Sequence, residues 1–248
     1  MDSSEPIERQ HGHAGCAHHV PGEDCKFCSI RHLSVCSALE PTEWRALESL
    51  SGDAHFDERS TLFDEGDEAV NVYNVTSGVV RLIRSLPDGR RQVTGFALPG
   101  DFLGLSLEKI WNFSAEAVTP VVACRFNRAQ FFDFTDRKPH LLRRLHEFST
   151  HELSLAQDHM VLLGRLTAEE KIGAFLMTMR KRWGRVDGNA PNLIPLPMGR
   201  QDIADYLGLT IETVSRTINQ MQRDHHLVIV PDGVRLLDLN YFNALAPN

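Results

Sequence analysis

The chain has 248 residues, of which 42% are hydrophobic and 24% are charged, and its formal net charge is −7. This length and composition are typical of two compact globular domains and exclude a largely disordered protein. No apolar run is long enough to cross a bilayer and the N-terminus lacks the features of a secretory signal, so we expect a cytoplasmic protein without a membrane span, whose acidic surface binds nucleic acid only at a local site.

Residues 1–40 contain Cys16, Cys25, Cys28 and Cys36, and the fifth cysteine of the chain is Cys124. In a reducing compartment, five cysteines are expected to be free or bound to metal rather than paired in disulfides. The spacing of Cys25 and Cys28 lets two thiolates of one turn face the same centre, which suits soft metals and iron–sulfur clusters. Five histidines lie in the same segment (His11, His13, His18, His19 and His32). A zinc site and redox-sensitive thiols without metal therefore remain alternatives.

Residues 55–126 contain short runs rich in β-branched and aromatic residues, separated by turn sequences. The runs are Val72–Val75, Val79–Ile83, Gln92–Phe96 and Val121–Phe126. The turn dipeptides are Ser77-Gly78, Asp88-Gly89 and Pro99-Gly100. This alternation predicts an antiparallel β-barrel or β-roll, which we assign to residues 41–138.

After Pro139 the apolar period becomes helical, and one long helix is predicted from about His140 to Leu163. One apolar stripe of this helix contains Leu145, Phe148, Leu155 and Leu162. A second stripe has the spacing of a coiled-coil seam and contains Leu153, Ala156, Met160 and Leu163. The first stripe is suited to cover the β domain and the second to pair with another subunit, so we predict a dimerisation helix at residues 139–164. The alternative is that both stripes belong to the intramolecular core.

A further helix is predicted at about Ala168–Trp183, followed by a polar loop, Gly184–Asn192, within a final domain of residues 165–248. Basic residues outnumber acids between positions 180 and 200, with Arg180, Lys181, Arg182, Arg185 and Arg200 against Asp187. This local excess predicts contacts with DNA phosphates, with Arg182 and Arg185 as candidates.

The stretch after residue 200 has the pattern of a winged helix-turn-helix. Gln201–Leu207 is amphipathic, Gly208 permits a tight turn, and Thr210 is suited to cap a second helix with Val214 and Ile218 inward. A turn between two strand-like runs follows, as in a wing: Leu227–Val230, Asp232-Gly233 and Val234–Leu237.

One face of the second helix carries groups that hydrogen-bond to base edges. Glu212, Ser215, Arg216 and Asn219 fall at helical positions i, i+3, i+4 and i+7. Arginine pairs with guanine, glutamate accepts from cytosine, and serine bonds to either. The alternative is an ordinary helical hairpin with a solvated polar face.

With these motifs in view, the chain resembles the FNR branch of the CRP/FNR family of bacterial transcription regulators. The resemblance is carried by Asp205–Arg216 (DYLGLTIETVSR), Gln92–Phe96 (QVTGF) and Gly100–Gly104 (GDFLG). It implies an α+β protein with an N-terminal antiparallel β-roll of the cyclic-nucleotide-binding type, a long dimerisation helix and a C-terminal winged helix-turn-helix domain. It also implies a regulator, mainly an activator, that binds TTGAT-N4-ATCAA-like palindromes as a homodimer, with Glu212, Ser215 and Arg216 reading bases.

The resemblance also assigns the cysteines. Oxygen-sensing members hold a [4Fe–4S] cluster with three N-terminal cysteines and one in the β-roll, which correspond to Cys25, Cys28, Cys36 and Cys124, leaving Cys16 as the spare. The C-x2-C-x7-C spacing is similar to that of the FnrN/FnrL type. Residues 1–40 are therefore interpreted as a cluster-binding segment, and DNA binding is expected when the cluster is intact.

Two further partners follow from the same resemblance. The loop Ser85–Arg91 resembles the one that contacts RNA polymerase in the family, although a solvated turn explains it equally well. Relatives that bind cyclic nucleotides carry an arginine where this chain has Phe113-Ser114-Ala115, and Gly100-Asp101 replaces their Gly-Glu. A buried phosphate without a cation would be costly, so no cyclic nucleotide is expected.

Two other functions are considered. One is a cluster-free, FixK-like regulator of the same fold, controlled by thiol oxidation or by its own abundance. The other is a cysteine-ligated metalloenzyme or electron carrier, but the C-x3-C-x2-C motif of radical enzymes is absent and an electron carrier does not need a winged helix. The sequence therefore predicts a protein that is not an enzyme.

Overall fold

The computed structural model describes residues 24–106, 108–188 and 192–245. A β-roll is followed by one long helix and by a helix-turn-helix unit with a small sheet, so the predicted α+β architecture is confirmed. Among the helices of these residues, none combines the length and the apolar character that a membrane span requires.

Eight strands in the described part of the chain form the β-roll, and all their pairings are antiparallel. They are β1 (Ser51–Phe56), β2 (Thr61–Phe63), β3 (Asn71–Ser77), β4 (Val80–Ser85), β5 (Arg91–Ala97), β6 (Phe102–Leu103), β7 (Ser114–Ala117) and β8 (Val121–Asn127). One sheet has the order β1-β8-β3-β6, and the other has the order β2-β7-β4-β5.

The four predicted strands are present as β3, β4, β5 and β8, whereas the other four were not predicted. Strand β1 illustrates the reason, because its sequence SGDAHF contains no β-branched residue. It is a strand because β8 supplies its hydrogen-bonding partner over the whole length, with Asp53 opposite Cys124. Tertiary pairing here overrides weak local propensity.

Short helices flank the roll, and a long helix follows it. They are α1 (Asp24–Phe27), a 3₁₀ turn (Val35–Ala38), α2 (Pro41–Glu48), α3 (Arg128–Asp136) and α4 (Pro139–Arg165). Proline at the start of α4 is favourable because the first turn of a helix leaves its amide groups unbonded. The predicted long helix is confirmed and passes through Gly164.

Helix α5 (Ala168–Asp187) begins after only two linking residues, Leu166 and Thr167. The Thr167 hydroxyl accepts from the Glu170 amide at 3.3 Å, and the Glu170 carboxylate accepts from the Thr167 amide at 2.8 Å. The prediction that α5 ends near Trp183 was wrong. The helix ends at Asp187, because the next residue, Gly188, has a left-handed φ of 78°.

The C-terminal unit contains α6 (Arg200–Leu207), α7 (Ile211–Arg223), α8 (Leu239–Leu245) and a sheet of β9 (Leu193–Pro195), β10 (Leu227–Val230) and β11 (Gly233–Leu236). The predicted wing is the β10–β11 hairpin, and β9 pairs with β11 as an additional strand. Glycine is required at position 233, because an added Cβ would lie 2.0 Å from the carbonyl oxygen of Ile194.

The largest apolar cluster belongs to both domains. Val93 and Phe96 of β5, on the face turned away from the roll interior, pack with Ile172 and Phe175 of α5. Burial of each such side chain contributes about 1.5–3 kcal/mol. A second cluster fills the inside of the roll. The first cluster therefore holds the C-terminal unit against β5 and against Val79 and Leu98, which flank strands β4 and β5.

Candidate DNA interface and cysteine segment

Helices α6 and α7 meet at the tight turn that the sequence predicts. Gly208 ends α6 with a left-handed φ of 61°, and the Thr210 hydroxyl caps α7 by accepting from the Thr213 amide at 3.2 Å. Val214 and Ile218 are buried beneath α7. This is the geometry of a helix-turn-helix whose second helix presents its outer face.

The outer face of α7 carries Glu212, Arg216 and Asn219 in exposed positions, with Ser215 half-buried beside them. The amide of Glu212 itself, the Thr210 hydroxyl and the nearby positive charge of Arg216 lower the pKa of the Glu212 carboxyl below its ordinary value. The face therefore offers an ionised acceptor one turn from a guanidinium, which is a pair of groups able to bond to cytosine and guanine.

Arg182 does not point to solvent as a DNA-phosphate contact would require. Its guanidinium donates to the backbone carbonyl of Phe96 at 2.6 Å and to the carboxylate of Asp101, and its side chain is 19% exposed. The prediction of a phosphate contact was wrong for Arg182, because the charge is already paired at the boundary with the β-roll. Arg185, one turn later, is exposed and remains a candidate.

The cysteines of the predicted cluster lie on different elements. Cys25 lies in α1, Cys28 follows it, Cys36 lies in the 3₁₀ turn and Cys124 lies in β8, and all four are half-buried. Cys16 lies outside the described residues, as do four of the five N-terminal histidines. Within residues 24–106, 108–188 and 192–245, no group of three or more Cys, His, Asp or Glu side chains is arranged to hold a metal ion.

Cys36 and Cys124 are brought to the same place by packing. Both lie against one apolar cluster, which contains Val35 of the 3₁₀ turn, Val72 of β3 and Phe126 of β8. Burial raises the pKa of the Cys36 thiol, opposed by smaller effects of the Ser34 hydroxyl and the local backbone. Four thiols, two of them on a shared apolar surface, form a donor set whose chemistry fits an iron–sulfur cluster.

The cysteine segment also contacts the loop that carries Asp101. Leu33 is buried against Gly100, whose φ is 98°, and a Cβ added at Gly100 would lie 2.6 Å from the Cβ of Leu33. These residues line a small cavity together with Arg182 and Arg185 of α5. The cysteine segment, the β-roll and α5 thus meet at one junction.

The two apolar stripes of α4 have different surroundings. Leu145 and Leu162 of the first stripe are buried within the chain, and its other two members, Phe148 and Leu155, are half-buried. In the second stripe, Leu153 and Met160 are 58% and 64% exposed, and the other two members, Ala156 and Leu163, are exposed as well. The alternative that both stripes belong to the intramolecular core was therefore wrong. A row of exposed apolar side chains on one helix marks an interaction surface.

Comparison with known proteins decides the family. Residues 54–138 match the model of the cyclic nucleotide-binding domain, and residues 170–245 match the model of the Crp-like helix-turn-helix domain. The chain is 51% identical over 225 residues to the nitrogen fixation regulation protein FixK of Bradyrhizobium diazoefficiens, covering 91% of this chain and 94% of FixK. It belongs to the CRP/FNR family of transcription regulators. It is accordingly a regulator and not an enzyme, as predicted.

Further relatives refine the place within the CRP/FNR family. The transcriptional activator protein FnrL of Cereibacter sphaeroides is 36% identical over 233 residues, covering 89% of this chain and 94% of FnrL. The solved structure of FixK2 from Bradyrhizobium japonicum superposes with a TM-score of 0.74 at 33% identity, covering 80% of this chain and 98% of FixK2. FixK is more similar than FnrL, so membership of the FNR branch stays a prediction.

The interior of the roll contains packed aromatic side chains. Phe63 and Trp111 stack with ring centroids 3.5 Å apart, and Phe113 contacts both of them edge-on. Ser114 is engaged within the roll, because its hydroxyl accepts from the Glu65 amide at 2.9 Å.

Sequence reasoning missed a contact between the predicted dimerisation helix and the helix-turn-helix. His159 of α4 stacks on Tyr206 of α6 with ring centroids 4.2 Å apart. Burial, together with the smaller effect of the positive charge of Lys171, lowers the pKa of His159 below its ordinary value of 6.5, which favours the neutral ring. The two rings are 47 positions apart in the chain, and nothing in either local pattern indicates the pairing.

Proposed function

We propose that this protein is an oxygen-responsive transcription activator that binds TTGAT-N4-ATCAA-like palindromes as a homodimer in the cytoplasm. The observation that carries the DNA-binding part is the exposed face of α7, on which ionised Glu212 lies one turn from Arg216. The family relationship supports regulation of transcription, and the similarity to the transcriptional activator protein FnrL supports activation.

The oxygen response is proposed to depend on a [4Fe–4S] cluster held by Cys25, Cys28, Cys36 and Cys124. When bound, such a cluster supplies a redox centre that reacts with oxygen. The thiols bind it as thiolates, so Cys36 must lose the proton that its burial favours. Cys36 and Cys124 already pack against one apolar cluster, which places these two donors on a common surface.

The junction at Gly100 offers a link between the cysteine segment and the DNA-binding domain. Leu33 of the cysteine segment packs directly against Gly100. The residue after Gly100 is Asp101, which forms an ion pair with Arg182 of α5. A change in the position of the cysteine segment would therefore act on α5 through a packed contact and an ion pair. We propose this link as the path by which cluster loss weakens DNA binding.

Gly100→Ala should disturb this link selectively. The added methyl group clashes with Leu33 and strains a backbone that has φ of 98°, so we expect a loss of about 1–3 kcal/mol in the free energy of unfolding and about tenfold in anaerobic DNA affinity. Gly89→Ala is the matched control, because Gly89 has φ of 83° but no neighbour within 4 Å. Thermal unfolding and DNA titration of both variants measure the two effects. Equal losses of DNA affinity in both variants would contradict the link.

Two further partners are part of the proposal. The loop Ser85–Arg91 is exposed, and Leu86, where its turn begins, is 42% exposed, which supports contact with RNA polymerase. The stacked Phe63 and Trp111 and the absence of an arginine from the Phe113-Ser114-Ala115 step support a roll that takes no cyclic nucleotide.

Base reading is tested by Arg216→Ala. Arginine donates two hydrogen bonds to guanine and discriminates by roughly 1–3 kcal/mol, so we expect the variant to lose about tenfold or more in affinity for the palindrome and little for a scrambled duplex. Arg185→Ala serves as the comparison. If Arg185 contacts phosphate, its loss weakens both duplexes alike and lowers the salt slope by about one. Equal loss on both duplexes for Arg216→Ala would show that α7 positions the protein without reading the guanine.

A second candidate is a cluster-free regulator of the FixK type, which the 51% identity to FixK favours. The ultraviolet–visible spectrum of anaerobically purified protein separates the two candidates. Broad visible absorption that disappears in air, together with loss of DNA binding, is expected for the cluster. Colourless protein that binds zinc, or that contains no metal and binds DNA equally in air, would contradict the oxygen-sensing proposal and leave the DNA-binding part intact.

A further inference from the structure

Arg81 of β4 reaches from the β-roll to the first helix of the helix-turn-helix. Its Nη1 donates to both carboxylate oxygens of Asp202 in α6, at 3.0 and 3.2 Å, while its Nε donates to Glu116 of β7 at 2.9 Å. The side chains of Arg81 and Asp202 are only 17% and 7% exposed. An ion pair at a boundary so closed to water has a defined geometry, because the guanidinium bonds only in the directions of its N–H groups.

Two neighbouring residues of β5 hold the same helix. Arg91 donates from Nη2 to Asp202 at 3.2 Å and from Nε to Asp205 at 3.0 Å. The Gln92 amide donates to the backbone carbonyl oxygens of Asp205 and Tyr206, the latter at 3.4 Å. We call Arg81, Arg91, Gln92, Asp202 and Asp205 the α6 clamp.

Beside the Arg182–Asp101 ion pair, the clamp adds directional contacts to a boundary that is largely apolar. The cluster shared by β5 and α5 holds the two domains together, but hydrophobic burial is non-directional and tolerates rotation. The covalent link between α4 and α5 is also short, Leu166 and Thr167 alone. Asp202 also accepts from the Gly199 amide at 3.2 Å. The same carboxylate therefore caps the start of α6 and pairs with Arg81 and Arg91 of the β-roll. The angle between α4 and the helix-turn-helix therefore depends on the clamp, together with the stack of His159 on Tyr206.

We propose that the α6 clamp determines the half-site spacing that the regulator accepts, which makes Arg81 and Asp202 positioning residues for DNA binding. The inference rests on the proposed function, in which two subunits read a palindrome with half-sites about 34 Å apart. In each subunit the clamp then holds α7 at a fixed angle to α4, and the two α4 helices set the distance between the two copies of α7. Glu212 and Arg216 remain exposed while the clamp is closed, so the clamp orients the base-reading face and does not cover it.

The test combines Arg81→Met with Asp202→Asn. Removing both charges together leaves neither member of the buried Arg81–Asp202 pair alone, and asparagine keeps an oxygen for the Gly199 amide. Glu116, the other partner of Arg81, is 29% exposed and its carboxylate is therefore open to solvent. Arg84→Met is the matched control, because Arg84 lies on the same strand but pairs with Glu65 at the surface. Affinity is measured for palindromes with three, four or five central base pairs and for a duplex with a single half-site.

We expect the unmodified protein and Arg84→Met to prefer the four-base-pair spacing by about tenfold, and the double variant to lose that preference while its half-site affinity changes less than about twofold. The proposal would be overturned if the folded double variant kept the spacing preference. It would also be overturned if the variant lost affinity equally for every duplex. If thermal unfolding shows that the double variant does not fold, Arg91→Met with Asp205→Asn makes the same test at more exposed side chains. Unmodified protein that binds the palindrome no better than a half-site would instead contradict the proposed function.

Discussion

Cys124→Ser abolishes the visible absorption of anaerobically purified protein and lowers its affinity for the palindrome by tenfold to a hundredfold, if the cysteines hold a cluster that favours the DNA-binding state. Serine is close to cysteine in size, and Cys124 is half-buried in a strand that is paired on both sides, so the β-roll should fold unchanged. The loss would therefore report the missing thiolate. Iron and sulfide content, the absorption spectrum and DNA titration are the measurements.

The other cysteines provide the controls for this prediction. Cys28→Ser should behave as Cys124→Ser does, because both are assigned as ligands. Cys16→Ser should keep both the absorption and the affinity, because Cys16 is the spare in the assignment. If Cys16→Ser alone destroyed the absorption band, the ligand assignment would be wrong.

Met160→Glu should convert the dimer into a monomer that no longer binds the full palindrome. Met160 is 64% exposed in the single chain and lies at the centre of the exposed stripe, where pairing of two subunits would bury the new carboxylate. An unpaired charge in an apolar seam is strongly unfavourable. Light scattering measures the assembly, and titration with full and half palindromes measures the consequence for DNA binding.

Ser154→Glu is the matched control for this substitution. It adds the same charge to an exposed position of α4, but on a face turned away from the seam formed by Leu153 and Met160. The control should remain dimeric and bind the palindrome normally. A Met160→Glu protein that stayed dimeric would place the subunit interface elsewhere on the chain.

The parts of the DNA interface that depend on local sequence could be predicted. The turn at Gly208, the cap at Thr210 and the buried and exposed faces of α7 all follow from residues within one or two turns of each other. The long helix and its two stripes were accessible for the same reason, because helical periodicity is a local signal.

The parts that depend on distant partners could not be predicted. Arg81 pairs with a carboxylate 121 positions away, and Arg182 pairs with one 81 positions away. In the sequence, Arg182 is one of several basic residues near a DNA-binding motif, which made a phosphate contact the natural interpretation. Only the packing of α5 against the β-roll shows that the Arg182 guanidinium pairs with Asp101 within the protein.

The apolar cluster that crosses from the β-roll to α5 limits how modular this regulator is. Separating the chain between α4 and α5 would uncover Val93 and Phe96 on one fragment and Ile172 and Phe175 on the other. A chimera that joins this sensor half to the DNA-binding half of another regulator would have to replace the facing surface of β4 and β5 together with the helices. Exchange of specificity by recombination at the linker alone would therefore yield a protein with a mismatched core rather than a regulator with a new target.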